Sequence, residues 1–589
     1  MTEGAVTPQR PRWARGLVIA LFVVLGLILA AGVWIGVRAV MAKGELEAIL
    51  PLVQPVQDAV QTRDFDRLAE LAGQAQDHAA AAADLTGDPV WRAAEIVPFV
   101  GQNLAAVRVV SASLAGISSS AGPLLAVASD LKGSSETGFD LALFAQAQQP
   151  LADAADAFGA ADASFDALDR SALIPQVAEA VDKVGTIVGD GAPVTSGLAQ
   201  ASRILPTFLG ADEPRTILVM LQNSAELRTG GGLTGSFILL GADGGHLEIL
   251  AQADSSDFRS LDAALPIVPA STIDLYSDAI GRWVQNTSMT ADFELTAALA
   301  NTWWKSYSGA EADAIVSLDL TTIAALLSTA APVTLPDGST ITDENIVDRV
   351  LVEPYFTLDQ TQQTAFQTLV TSAAMNSIVH ADIDPFAWVN ALSAPVTEGR
   401  VSVWSSDPAE QAVIDETVLV GPAGRLSAAG ADAFGVYFND ETAGKMDSYL
   451  EASIASGAST CRPDGATDVR IQVTLTNTAA ADAASWPWLM TGGGHEGVAP
   501  GDIGTSISVA APAGTIFEGA WVDGAPVSLS KGEDAGFLTN RALITVSPGQ
   551  SKTAEFRLVV DDAPQGVIDI LHTPLLHAPE LSTIEVACS

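Results

Sequence analysis

Three groups of side chains in this sequence could do chemistry: an arginine beside a glycine-rich turn, some carboxylates after a strand, and six scattered histidines. The stretch AELRTGGGLTGSFILL, residues 225–240, spaces Gly230, Gly232 and Gly235 as G-x-G-x-x-G. Such glycines cradle a dinucleotide only between a strand and a helix, because the helix N-terminus holds the pyrophosphate. Here the polar SAEL separates the preceding strand from the glycines, and SFILLGADGG follows, β-branched and aromatic up to a turn. A nucleotide loop is therefore not expected. The glycines still permit positive φ and close backbone approach. Arg228 then has two readings: it braces the turn through Glu226, or it offers its planar fork to an anion.

Asp254, Asp257 and Asp262 surround Arg259, and Arg282 follows. Carboxylates and arginines together suit a Mg²⁺–pyrophosphate site, since the metal takes oxygen ligands and the phosphates take arginine. In a chain with 70 acidic residues, the same cluster also reads as a solvated loop. Candidate anion ligands are thus Arg228, Arg259 and Arg282, and candidate metal ligands are Asp254 and Asp257. His78, His246, His380, His495, His572 and His577 include no i, i+4 pair, so no zinc site is expected. Ser528-Leu-Ser-Lys531 matches S-x-x-K but falls in a turn and reads as chance. No G-x-S-x-G nucleophile turn occurs.

The elements that must position these residues change character along the chain. Residues 38–205 are Ala-rich, with apolar positions such as Leu104, Val107, Val110, Leu114 and Ile117 at helical spacing, and predict an all-α stalk. Residues 206–449 alternate strands and helices. Strands are expected at Arg215–Gln222, Ser236–Gly241, His246–Ala251 and Ala312–Leu318, and helices at Ala291–Lys305, Leu320–Thr329, Asp343–Val352 and Asp359–Val379. This is an α/β or α+β core. Residues 450–589 show period-two alternation, as in Val469, Ile471, Val473 and Leu475, with turns at Asp523-Gly524 and Pro548-Gly549. They predict a β-sandwich of immunoglobulin-like type.

Placement comes from the N-terminus. After a leader, residues 1–15, that carries Arg10, Arg12 and Arg15, Gly16 to Val37 run 22 residues without a charge. As a helix this spans about 30 Å, the hydrocarbon thickness of a bilayer. It exceeds a signal-peptide core, so an uncleaved anchor is expected; cleavage after Val40-Met-Ala42 is the alternative. A short basic leader before more than 540 residues predicts a single-pass protein, N-terminus cytoplasmic and bulk outside. The net charge of −42 excludes a nucleic-acid partner. In that setting the two cysteines, Cys461 and Cys588, predict a disulfide, with two unrelated thiols as the alternative.

The stretch Gln222–Phe237 (QNSAELRTGGGLTGSF) resembles the signature of the domain of unknown function 4012 family. The matching residues are Gln222, Asn223, Glu226, Arg228, Gly231, Gly232, Gly235 and Ser236. Further similarity lies in Asn286 with Asp292-Phe293, in EADAIVSLDLTTIAALLSTAAPVTLPDG, and in FNDETAGKMDSYL, residues 438–450. The family has no assigned activity. The core also distantly resembles the LytR-CpsA-Psr phosphotransferases, which join polyprenyl-pyrophosphate-linked glycopolymers to the cell wall. It departs from them in lacking their Arg-Ser-Asp triplet and in a late helix, DQTQQTAFQ, without arginines.

Two functions follow as expectations. The first is a binding or scaffolding module of the cell envelope, without cofactor. The second is a LytR-CpsA-Psr-like glycopolymer transferase in which Arg228, Asp257 and Arg259 act, with Mg²⁺ implied only there. Partners are membrane lipid along residues 16–37 and, by class, a cell-wall glycan or a polyprenyl-pyrophosphate lipid. Oligomeric state is not legible.

Overall fold

The structure, a computed structural model, describes residues 12–62, 64–131, 139–381, 385–460, 462–561 and 568–587. The expected Cys461–Cys588 disulfide and leader residues 1–11 lie outside the described residues. The chain forms two compact units, Met1–Ser135 with Ala142–Arg203 and Glu136–Leu141 with Ile204–Ser589.

The first unit is helical: α1 (Arg12–Ile49), α2 (Val53–Thr62), α3 (Phe65–Thr86), α4 (Pro89–Ala94), α5 (Gly101–Leu131), α6 (Leu141–Asp166) and α7 (Pro175–Phe208), whose last turn belongs to the second unit. Asp64 and Asp88 cap α3 and α4 by accepting from the Arg67 and Trp91 amides, which a helix start leaves unpaired. α1 carries the apolar run, long and apolar enough to cross a membrane, and its side chains from Leu21 to Leu29 are exposed. Its C-terminal half packs instead. Glu45 meets His78 at 2.7 Å, Arg38 donates to the Asp84 and Leu85 carbonyls at 3.0 Å, and the Trp34 indole donates to Asp88 at 2.8 Å. Descending numbers on α1 meet ascending numbers on α3, so the two run antiparallel. Ala106, Val110, Ala161, Phe165, Val181 and Val188 form a core in which alanines allow α5, α6 and α7 to approach closely. A second stretch, Gly101–Val127, meets the same length and hydropathy measure. It contributes to that core, and Arg108 within it is ion-paired to Glu95 at 2.6 Å.

The second unit begins with β1 (Arg215–Asn223), β2 (Leu233–Asp243), β3 (His246–Asp254) and β4 (Ala314–Asp319). A small hairpin, β5 (Val333–Thr334) and β6 (Thr340–Ile341), precedes β7 (Ser402–Ser405). The main sheet has the order β3-β2-β1-β4-β7, with β1 and β4 parallel and the other neighbours antiparallel. Side chains alternate along β1. Ile217, Val219 and Leu221 pack under helices Leu320–Leu327 and Gln360–Val379, while Leu218 and Met220 face helix Phe293–Ser308 with Trp303 and Trp304. Burial on both faces explains the unbroken apolar run ILVML in β1.

Two further sheets follow, built from β8 (Ala433–Asp440), β9 (Leu450–Ser459), β10 (Thr467–Asn477), β11 (Ile503–Ala511), β12 (Ile516–Val522), β13 (Ala525–Val527), β14 (Ser530–Asp534), β15 (Phe537–Val546), β16 (Ser551–Val560), β17 (Asp569–His572) and β18 (Glu580–Thr583). Their orders are β13-β12-β16-β10-β9-β18 and β14-β15-β11-β8-β17. One core joins them: Val469, Ile471, Val473 and Leu475 from one sheet with Phe434, Ile507 and Ile544 from the other. β8 lies before residue 450, so the two-sheet region starts upstream of the expected 449/450 boundary. All eight β8 residues are buried, which removes the period-two signal that marks its partners. Lys531 of the S-x-x-K match lies on β14 rather than in a turn.

Candidate functional site

The glycine stretch is the connection between β1 and β2, neighbouring antiparallel strands, and a strand follows the glycines where a nucleotide loop would need a helix. Leu221 pairs with Ser236 but Gln222 with Thr234, so Gly235 is the extra residue of a β-bulge. Gly231 has φ +119°, and a Cβ on Gly232 would stand 2.4 Å from the Asn223 carbonyl across the hairpin neck. Seven amides along this stretch already have partners. Ala225 donates to the Asn223 side chain, Leu227 to Asp447 at 2.7 Å, and Thr229 to the Asn439 side chain at 3.2 Å. Glu226, Gly230, Gly231 and Leu233 donate to backbone carbonyls.

These partners show what the loop does. Asn439 closes β8, and Asp447 lies in the turn before β9. In return, Asp440 and Asp447 donate their amides to the Leu227 and Ala225 carbonyls, and the Thr573 hydroxyl donates to the Thr229 carbonyl. The loop therefore latches the main sheet to the two-sheet region. Its charges are buried with it. Arg228 donates from Nε and Nη2 to Asn286 at 3.0 and 2.9 Å, from Nη1 to the Leu227 carbonyl at 2.7 Å, and from Nη2 to Glu226 at 3.2 Å. Glu226 also accepts from Lys445, whose ammonium lies near the Tyr355 ring. Burial opposes the Glu226 carboxylate, but Lys445 and Arg228 outweigh it and hold its pKa below the ordinary value. Lys445, held charged by Glu226 against its burial, is raised to about 12. Asp440 has no such cation pairing; burial and the Glu226 charge push it up to about 7. Burial and Asp440 likewise push Asp447 well above the carboxylate range.

The other sequence candidates lie apart from this cluster. Asp254 accepts from the Ser256 amide and Asp257 from the Asp254 amide, together forming a capping box at a short helical turn. Arg259 is exposed. Arg282 is half-buried and bonds the Leu261 carbonyl at 3.0 Å and Asp278 at 3.4 Å. Among the described residues, no hydrogen bond or ion pair joins Arg228, Arg259 and Arg282 to one another or to Asp254 and Asp257.

A cavity of about 270 Å³ opens instead where the end of helix Pro385–Thr397, helix Pro422–Ala429, β8 and the segment after β17 converge. Arg400, Arg425, Tyr437 and His572 line it. Arg400 is neutralised: it bonds Asp319 at 2.6 Å, Glu398 at 2.5 Å and the Leu575 carbonyl at 2.6 Å. Arg425 is not. It donates to the Thr397 carbonyl at 2.6 Å, and among the described residues no carboxylate is ion-paired with it. Burial draws its pKa below the usual arginine value, only partly offset by Tyr437. Burial also lowers the His572 pKa against the opposing bond to the Thr573 carbonyl, and both arginines reinforce the lowering. Gly399, at φ +77°, makes room: a Cβ there would stand 1.8 Å from Arg425 Nη1. The cavity adjoins the latch, since Asp319 also accepts from Ser224, and Pro574 approaches Gly231. Nothing in the sequence marks Arg400, Arg425 or His572, which are isolated residues in three different elements.

No curated protein matches the chain. Residues 212–355 match the model of a family described as protein of unknown function (DUF4012). That segment holds Gln222, Asn223, Glu226, Arg228, Gly231, Gly232, Gly235 and Ser236, and the latch shows why they occur together: they close one loop and its ionic cluster. Over residues 212–355, then, the chain is similar to the DUF4012 family.

Proposed function

We propose that the protein is a single-pass, membrane-anchored protein of the cell envelope that acts outside the membrane as a binding or scaffolding module. Its two-sheet region, read as an immunoglobulin-like sandwich, forms one wall of a cavity that receives an anionic group. The observation that carries this reading is Arg425, a half-buried guanidinium that lines a cavity and, among the described residues, has no carboxylate partner. A cation drawn partly out of water is stabilised by an anion, so the site favours one from outside. Phosphate or pyrophosphate on an envelope glycan or polyprenyl lipid has the right charge and the bidentate geometry arginine prefers. The transferase alternative needs Arg228, Asp257 and Arg259 around one reacting group, with Mg²⁺. Arg228 is spent on Asn286, Leu227 and Glu226, and none of the three lines the cavity, which supports binding over transfer.

The test is titration of the purified full-length protein with inorganic pyrophosphate and a prenyl pyrophosphate. Arg425→Ala should weaken binding at least about tenfold, the loss of one charge-assisted contact. Arg228→Lys should lower the melting temperature and leave binding unchanged. Absence of binding by the unsubstituted protein, or equal loss in both variants, would sink the reading.

A further inference from the structure

The turn between α4 and α5 is apolar and exposed. Ile96 is 85% exposed, Phe99 87%, and Val97 and Val100 about half. Soluble surfaces rarely gather four such side chains in five residues, and such patches mark contact with a protein or a membrane. The turn is also built, not loose. Trp91 is wholly buried and donates to the Leu104 carbonyl, and Glu95 forms two bonds to Arg108, fixing both ends. Within it, the Gly101 amide donates to the Val97 carbonyl and Asn103 to the Phe99 carbonyl. Asn103 also accepts from the Ile174 amide, which sets Ile174, 52% exposed, beside the turn. Phe99 has φ +67°, a conformation that disfavours a bulky residue, so the fold holds this ring outward at a cost.

Its position follows from the register of α1 and α3. Glu45 meets His78, Arg38 meets Asp84 and Leu85, and Trp34 meets Asp88. α3 thus descends toward the apolar run of α1 and ends level with its last residues. α5 returns: Leu104 at its start lies by Trp91, and Leu125 near its end packs with Leu68 and Leu71 of α3. The α3–α5 connection is therefore the pole of the helical unit nearest that run. Arg38 and Trp34, stacked at 4.8 Å, mark the same level, as a basic and an aromatic residue do at a membrane interface.

We propose that the turn Ile96–Val100, with Ile174 beside it, inserts into the outer-leaflet interface of the bilayer next to α1, giving the helical unit a second membrane contact that fixes its tilt. This rests on reading α1 as an uncleaved anchor. The occupant is lipid because the turn lies at the depth where α1 leaves the bilayer and presents only apolar side chains. The test uses full-length protein in nanodiscs of phosphatidylcholine and phosphatidylglycerol. A polarity-sensitive fluorophore is placed at Phe99→Cys, at Leu25→Cys within the anchor, or at Glu70→Cys at the far end of α3, and the signal of the unsubstituted chain is subtracted. Nitroxide-labelled lipid should quench positions 99 and 25 at least twofold and leave 70 unchanged. Quenching at 25 without quenching at 99 overturns the proposal and leaves the anchor standing. Quenching at neither overturns the anchor reading and the proposal with it.

Discussion

Asp440 is the residue whose chemistry depends most on its surroundings. Its pKa rises from 3.8 to about 7, through burial and then the charge of Glu226. The folded state therefore keeps a proton that the unfolded chain releases above pH about 4. The sign follows: this contribution is fully present below the unfolded value and is lost as pH rises through about 7. Asp440→Asn should remove that dependence, so the melting temperature of the unsubstituted protein should fall relative to the variant between pH 4 and pH 8. Parallel melting curves across that range would show that Asp440 is ionised in the fold. The Glu226–Arg228 pairing was legible, being two residues apart beside a glycine turn. Lys445, Asp440 and Asp447 were not: they join Glu226 and Leu227 across more than 200 residues, and only the resemblance in FNDETAGKMDSYL pointed to that stretch.

At the scale of elements, the hairpin neck of β1 and β2 does the positioning. Gly232 lies where a methyl group would stand 2.4 Å from the Asn223 carbonyl, a backbone atom that cannot move without shifting β1. Gly232→Ala should thus cost about 2–3 kcal/mol, in the range of overpacked backbone contacts, and should release the latch before the main sheet unfolds. Hydrogen exchange should show faster exchange at Leu227 and Thr229 with β4 unchanged; uniform loss of protection would mean that loop and sheet unfold as one. The main-sheet strands were readable because an apolar run bounded by turn residues has one good solution in a sheet covered on both faces. β8 was not, since a fully buried strand loses the alternation that identified β10 and β16. The cavity was least legible of all. Arg400, Arg425 and His572 come together only when the helix Pro422–Ala429 and the segment after β17 meet, and no spacing encodes that.

Across the whole chain, the net charge is −42 and an apolar helix near the N-terminus is long and apolar enough to cross a membrane. The open question there is cleavage after Ala42. α1 continues without a break to Ile49, so the site lies inside a helix. Ala42 is wholly buried. The residues that cleavage would remove are also in use: Trp34 and Arg38 bond Asp88, and Arg38 bonds two carbonyls at the end of α3. Losing them would strip the caps from the Asp84 and Leu85 carbonyls and the cation from Asp88, whose pKa its Trp91, Trp34 and Arg38 partners hold below the ordinary value. A signal peptide, discarded by design, has no reason to share bonds with the mature fold. N-terminal sequencing and intact mass of the protein purified from membranes should therefore find residues 16–37 retained, and alkaline carbonate should fail to extract it while detergent succeeds. A mature chain beginning at Lys43 would show that α1 is only a targeting segment and that the helical unit stands without Trp34 and Arg38.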